Sequence, residues 1–143
     1  MSQIRTSGAQ AQDATTQDAT GQDGDLAAIT RTALDYIEGW YTADSERMER
    51  SLHPALAKRL VLQAADDERD RLDEMSALDL VQRTRRHQPD AADARRADIT
   101  VLDHFENSAS VRIDASGWVD YLHVARWNGR WVIINVLWEL RPA

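Results

Sequence analysis

Between Leu26 and Trp40 the apolar residues Leu26, Ile29, Ala33, Ile37 and Trp40 recur at helical spacing. Tyr36 flanks the stripe, and Arg31, Asp35 and Glu38 lie mostly on the other side. The pattern predicts an amphipathic helix capped by Asp25. A second, short helix follows, with Asp44 as its cap, Met48 and Leu52 as one apolar edge and Pro54 as its stop. Residues 57–63 suit either a short strand or a continuation of helix, and the charged run 65–74 reads as exposed. A third helix begins at Ser76, where Ser76 and Asp79 have capping-box spacing and Met75 and Leu80 staple spacing; it runs to about Arg86, before Pro89.

From Asp98 onward the period changes to two. Residues 99–105 and 109–113 read as strands around a turn at Asn107-Ser108, and two longer strands, 118–127 and 130–140, flank Asn128-Gly129. Both turn residues accept positive φ, so this pair is a strong hairpin signal. Helices followed by an antiparallel meander give an α+β class. A two-residue bend with an unbroken ladder would set Trp127 opposite Arg130, Ala125 opposite Val132, His123 opposite Ile134, Tyr121 opposite Val136 and Val119 opposite Trp138. That side is almost wholly apolar and is expected to meet the helices. The other side mixes Asp120, Arg126, Asn135 and Glu139 with Trp118, Leu122, Val124, Trp131, Ile133 and Leu137. So greasy an outer face predicts association, and a homodimer through Trp118, Leu122, Trp131, Ile133, Asn135 and Leu137 is the expectation. The same geometry at Asn107-Ser108 would place Asp103 opposite Arg112, with His104 beside Leu102, Val111 and Ile113.

Composition narrows the chemistry. The 143 residues suit one domain, residues 25–143, preceded by a low-complexity stretch, 1–24. In that stretch "QDAT" occurs twice and apolar residues are few, so it is expected to be disordered. The net charge is −7, of which −2 falls in the first 24 residues, and an acidic body argues against nucleic acid as a partner. The basic clusters at 83–87 and 94–96 read as solvated faces. There is no cysteine, so disulfides, zinc–thiolate sites and cysteine nucleophiles are excluded. No apolar run is long enough for a bilayer and no secretory leader pattern is visible, so a cytoplasmic location is expected.

The segments "ALDYIEGWYTADSERMERSLHPALAKR" (33–59), "MSALDLV" (75–81) and "WVDYLHVARWNGRWVIINVLWELRP" (118–142) resemble the putative lumazine-binding family of the nuclear-transport-factor-2-like, or SnoaL-like, superfamily. The resemblance implies a cone: a strongly bent antiparallel sheet wraps about three N-terminal helices and encloses a pocket, with dimers built on the outer sheet face. It also implies kinship with polyketide cyclases, ketosteroid isomerases and scytalone dehydratases. Those enzymes work with a histidine, aspartate or tyrosine in an apolar cavity, where desolvation strengthens hydrogen bonds.

By residue type the pocket candidates are Tyr36, Trp40, His53, His104, Tyr121, His123 and Trp138. The aromatic ones suit stacking on a flat ligand, although Trp40 and Trp138 suit core packing equally. His123 and His53 are the candidate bases; for His123 a structural role weighs about two to one over a catalytic one, and His53 also suits compensation of a helix C-terminus. His87 reads as solvent-facing. Asp120 and His123, three apart on a strand, point to opposite faces, and His104 with His123 lacks a carboxylate, so no metal site is expected. Asp66 and Glu68 have nothing near to desolvate them. There is no GxSxG, phosphate loop or dinucleotide fingerprint, and no cofactor is expected. The expected function is small-molecule binding, of a flat heterocycle or a polyketide-like ligand. The alternatives are a metal-free isomerase, dehydratase or cyclase using a pocket histidine, and an interaction module whose cavity is filled.

Overall fold

The computed structural model describes residues 8–143, with side chains from Gly21 onward. The element order is α1 (Gly8–Tyr41), α2 (Ser45–Ser51), β1 (Leu52–Leu62), β2 (Arg71–Ser76), α3 (Ala77–Arg86), a 3₁₀ turn (Ala92–Ala94), β3 (Ala97–Phe105), β4 (Ser108–Ala115), β5 (Trp118–Trp127) and β6 (Arg130–Leu140). Six strands form one curved, unclosed sheet in the order β2-β1-β6-β5-β4-β3, antiparallel except where β1 runs parallel to β6. The helices pack on its concave side, so the fold is the α+β cone. The expected tail, 1–24, falls largely outside the described residues: 1–7 entirely, 8–20 in their side chains.

The helices form in the expected stretches, with one end corrected: α2 stops at Ser51, and Leu52 and Pro54 lie in β1. Ile29, Ala33 and Ile37 of α1 are buried, with Tyr36 beside them. Asp25 does not cap α1, which continues upstream; its carboxylate instead receives Arg126 Nη2 at 2.9 Å. Asp44 caps α2 by accepting from the Arg47 N–H, and Ser76 and Asp79 complete the capping box of α3. The α1–α2 crossing is close because residue 39 is glycine: a Cβ there would lie 3.0 Å from Met48 N and 3.3 Å from Asp44 O, both backbone atoms. Residues 57–62 resolve as strand within β1, and Gln63 lies just past its end. The end of the charged run becomes β2, an exposed edge strand held by antiparallel pairing such as Lys58 opposite Met75.

The last hairpin departs from the unbroken ladder. Asn128 and Gly129 take φ of +49° and +82°, and near the turn Trp127 faces Arg130 and Ala125 faces Val132. Then β6 carries one extra residue. Val124 pairs with Ile133 but His123 pairs with Asn135, so Ile134 is bulged out. Beyond the bulge Tyr121 faces Leu137 and Val119 faces Glu139.

The face assignment of β5 is therefore corrected. Asp120, Leu122 and Val124 point inward with Trp131, Ile133 and Val136, while Tyr121, His123, Ile134 and Leu137 are exposed. Pairing with β4 explains the choice, because it builds continuous apolar rows: Ala109–Val124–Ile133 and Val111–Leu122–Val136. Trp131 lies beneath α1, where Thr32 Oγ1 donates to its carbonyl at 2.9 Å. Trp118, Leu122, Trp131 and Ile133 are thus interior residues and leave the expected dimer face. Asn135, half-buried, and Leu137, exposed, remain on the outside.

The β3–β4 turn also sits one residue earlier than expected, at Glu106-Asn107, with Phe105 opposite Ser108 and Asp103 opposite Ser110. Arg112 stands opposite Thr100 and pairs with Asp114 instead. A bulge between Val101 and Asp103 turns Leu102 out to solvent while His104 stays buried with Val111 and Ile113.

Because side chains alternate along a strand, the bulge at Ile134 is what keeps Val136 and Trp138 inside. Deleting Ile134 is expected to abolish cooperative urea unfolding or cost more than about 4 kcal/mol, whereas Ile134→Ala costs about 1 kcal/mol or less. A deletion variant as stable as the wild type would contradict this register.

Candidate functional site

The cone encloses a cavity of about 150 Å³. Tyr36, Ile37 and Trp40 of α1 form one wall and Met48 of α2 adjoins them. Leu80 and Arg83 come from α3; Lys58, Met75, Trp118 and Trp138 come from the sheet. An apolar cavity of about this size accommodates a single aromatic ring. Most of the lining residues are aromatic or thioether, and the exposed Arg83 brings a cation to them.

One polar chain runs along the wall. Lys58 Nζ donates to the Tyr36 hydroxyl at 2.6 Å, and that hydroxyl donates to Asp120 Oδ1 at 3.2 Å. Trp118 Nε1 donates to Asp120 Oδ2 at 2.8 Å. Strand register assembles these groups. Lys58 faces inward between Leu56 and Leu60 and pairs with Val136, while Asp120 pairs with Trp138 one inward row further along. Lys58 Nζ also lies 5.1 Å from the Trp138 ring centroid. Its 5.0 Å distance to the Tyr36 ring centroid is a consequence of the hydrogen bond, since the ammonium sits beyond the hydroxyl end and not over the ring face.

Burial acts on all three groups. It raises the Asp120 carboxyl above its ordinary value, against the opposing pull of Lys58 and the hydrogen bonds from Trp118 and Tyr36. It lowers the Lys58 ammonium, with Arg83 pushing the same way and Asp120 opposing. Tyr36 is held well above its ordinary value by burial and then by the Asp120 charge. Desolvation therefore drives acid and amine toward their neutral forms. The Tyr36 hydroxyl bridges them, so a proton can pass from Lys58 to Asp120 in two hops with the heavy atoms in place. Trp118 can only donate, which leaves Oδ1 as the oxygen able to carry the proton.

Of the expected pocket residues, Tyr36, Trp40 and Trp138 line the cavity. The histidines do not. His123 is exposed on the outer face, 3.3 Å from Asn135 Nδ2, beside a shallow outer depression. Tyr121, also outside, receives Arg112 Nη1. His53 packs edge-on against Trp127, centroids 4.5 Å apart, and its Nδ1 accepts from Ala55 N. His104 is buried elsewhere, edge-on to Trp131 and 3.7 Å from Asp25. His87, expected to face solvent, instead stacks on Trp40 at 3.9 Å and hydrogen-bonds Asp90 at 2.7 Å, which fixes the ring that walls the cavity. Among the described residues no cluster of three or more His, Asp or Glu is arranged to hold a metal ion.

The sequence did carry a signal for the missed pair. Lys58 falls in the apolar phase of Leu56-Lys58-Leu60, and Asp120 in that of Trp118-Asp120-Leu122-Val124. Each strand places one charge where its neighbours are core, and the two charges have opposite sign.

Removing one member of a buried charge bridge strands the others. Asp120→Ala is expected to cost about 3–5 kcal/mol in urea unfolding at pH 7, and Tyr36→Phe about 1–3 kcal/mol. Lys58 adds a pH dependence. Its folded value is lowered, so between that value and the ordinary 10.5 the unfolded chain binds more protons. Stability relative to Lys58→Met therefore rises as pH climbs through this window. A loss below about 1 kcal/mol for Asp120→Ala would show the carboxylate to be solvated.

The geometry can be set beside known proteins. No curated protein matches the sequence. In fold the chain is similar to a nuclear-transport-factor-2-like protein of unknown function from Shewanella baltica (TM-score 0.66, 20% identity, covering 84% of this chain and 96% of that one). A second such protein, from Silicibacter pomeroyi, gives a TM-score of 0.63 at 16% identity, over 84% and 98% of the two chains. A ketosteroid isomerase-like protein from Erwinia carotovora gives 0.56 at 12% identity, over 83% and 98%. No described helix is long and apolar enough to cross a membrane. The sequence pattern of the family described as "Putative lumazine-binding" matches residues 24–139, and the chain belongs to that family.

Proposed function

We propose that the protein binds a small, flat, carbonyl-bearing aromatic or heterocyclic molecule in the cavity, with one ring between the aromatic walls and an acceptor oxygen on Lys58. The observation that carries this reading is the pairing of an unfilled, largely aromatic cavity with the Lys58–Tyr36–Asp120 chain, half-buried at Lys58 and fully buried at Asp120. Lys58 has three N–H donors and Tyr36 takes one, so donors remain for a ligand. The open cavity speaks against an interaction module with a filled cone. Neither His123 nor His53 lines the cavity, which favours Lys58 or Asp120 for the proton transfer in the catalytic alternative.

Tryptophan emission reports occupancy directly, because Trp40, Trp118 and Trp138 line the cavity. Acetophenone, uracil and lumazine are suitable probes. At least one is expected to perturb the emission with a dissociation constant of roughly 10–1000 μM, the range open to a ligand of about ten non-hydrogen atoms. Lys58→Met is expected to weaken binding about tenfold. Unchanged emission with all three at millimolar concentration would overturn the reading.

The outer sheet face is proposed as the homodimer surface, now through Tyr121, Ile134 and Leu137, with Leu102 on β3 at the sheet edge. These exposed apolar side chains, together with the resemblance to dimeric cones, support that choice. Sedimentation velocity is expected to show a dimer that Leu137→Glu converts to monomer. A monomeric wild type at 100 μM or so would contradict it.

A further inference from the structure

Lys58 is the single lysine of the chain: the other sixteen basic side chains counted with it are arginines. Arginine serves the ion pairs of Asp35, Glu74, Asp98 and Asp114. A guanidinium stays charged at any relevant pH and is a poor nucleophile, whereas an amine in a dry site can be neutral. The one amine side chain stands in the wall of the one largely aromatic cavity described, with its nitrogen on the Tyr36 hydroxyl and a second cation, Arg83, in the same lining. Desolvation beside another cation is the arrangement that activates an amine toward carbonyl groups.

We propose that Lys58 condenses with the carbonyl carbon of a small aromatic aldehyde or ketone in the cavity, forming an imine. The inference rests on the cavity-binding reading above and adds a covalent step to it. The Nζ lone pair attacks the carbonyl carbon; a C–N bond forms as the C=O π pair moves to oxygen. The amine's two N–H protons both end on that oxygen, one as the carbinolamine forms and one as it dehydrates. The Tyr36 hydroxyl, 2.6 Å from Nζ and 3.2 Å from Asp120 Oδ1, is placed to pass them. The oxygen leaves as water while C=N closes. Amine plus carbonyl gives imine plus water, with no oxidant or reductant required. The cavity of about 150 Å³ limits the carbonyl compound to about one ring.

Reductive trapping tests it on the full chain. The protein is incubated with benzaldehyde and sodium cyanoborohydride, which reduces any imine to a stable amine, and the adduct is located by peptide mass mapping. The expected result is one benzyl group on Lys58, formed at least about tenfold more slowly in Tyr36→Phe at saturating aldehyde and suppressed by benzyl alcohol, which fills the cavity without a carbonyl. Because the only other amine is the N-terminus, mapping the wild type decides the matter even if Lys58→Arg fails to fold. Labelling confined to the N-terminus, while benzaldehyde still perturbs tryptophan emission, overturns the imine and leaves the binding reading standing. Failure of benzaldehyde, acetophenone, uracil and lumazine alike to perturb emission, with no adduct, overturns both.

Discussion

The fully buried Asp120 carboxylate is the constraint around which the cone is arranged. A carboxylate in the middle of a core strand is tolerated only where donors surround it. Here they come from three elements: the hydroxyl of Tyr36 on α1, the indole of Trp118 on β5 itself and, through Tyr36, the ammonium of Lys58 on β1. The same contacts position α1 over the sheet and set the polar wall of the cavity. Structure and chemistry therefore share their parts, and no substitution in this chain of groups is expected to affect one without the other.

The cavity is shaped by residues whose roles are otherwise unremarkable for core packing. Met48 and Leu80 bring two helices against its apolar side, and Gly39 lets α1 and α2 approach closely enough for Met48 to arrive there. Trp40 forms a wall only because His87 and Asp90, on the segment after α3, brace its other side. At the far edge Arg112 and Arg141 both clamp Asp114, whose carboxyl is held down at about 2 by their hydrogen bonds, tying the C-terminal end of the chain to β4. A pocket with bracing behind its walls is preorganised, which favours binding by reducing the ordering a ligand must impose.

Much of the fold was legible in the sequence. Helical spacing placed Ile29, Ala33 and Ile37 in the core, Ser76 and Asp79 marked the start of α3, and Asn128-Gly129 marked the last bend. What failed was the assignment of faces in the final hairpin, and for physical reasons. Polarity assigns Asp120 to the wet side, yet its carboxylate is fully buried on the inner one. The bulge at Ile134 then put Val136 and Trp138 on the inner side while Ile134 itself turned outward, so no single alternation described β6. The phase of β4 was unambiguous, with Ala109, Val111 and Ile113 apolar against Ser110, Arg112 and Asp114. Carrying that phase across to β5 would have turned Leu122 and Val124 inward. The site was less legible because residue type points to the histidines, whereas the strand register brings the lone lysine to the cavity.

A single lysine makes the central claim directly measurable. With lysine labelled at Cε, NMR shows one side-chain methylene resonance, and its pH titration reports Lys58 alone. The account predicts a midpoint below the ordinary 10.5, moving when Asp120 is replaced by Asn and when a carbonyl ligand enters the cavity. A resonance that titrates at 10.5 and ignores both changes would place the amine in solvent and contradict the account.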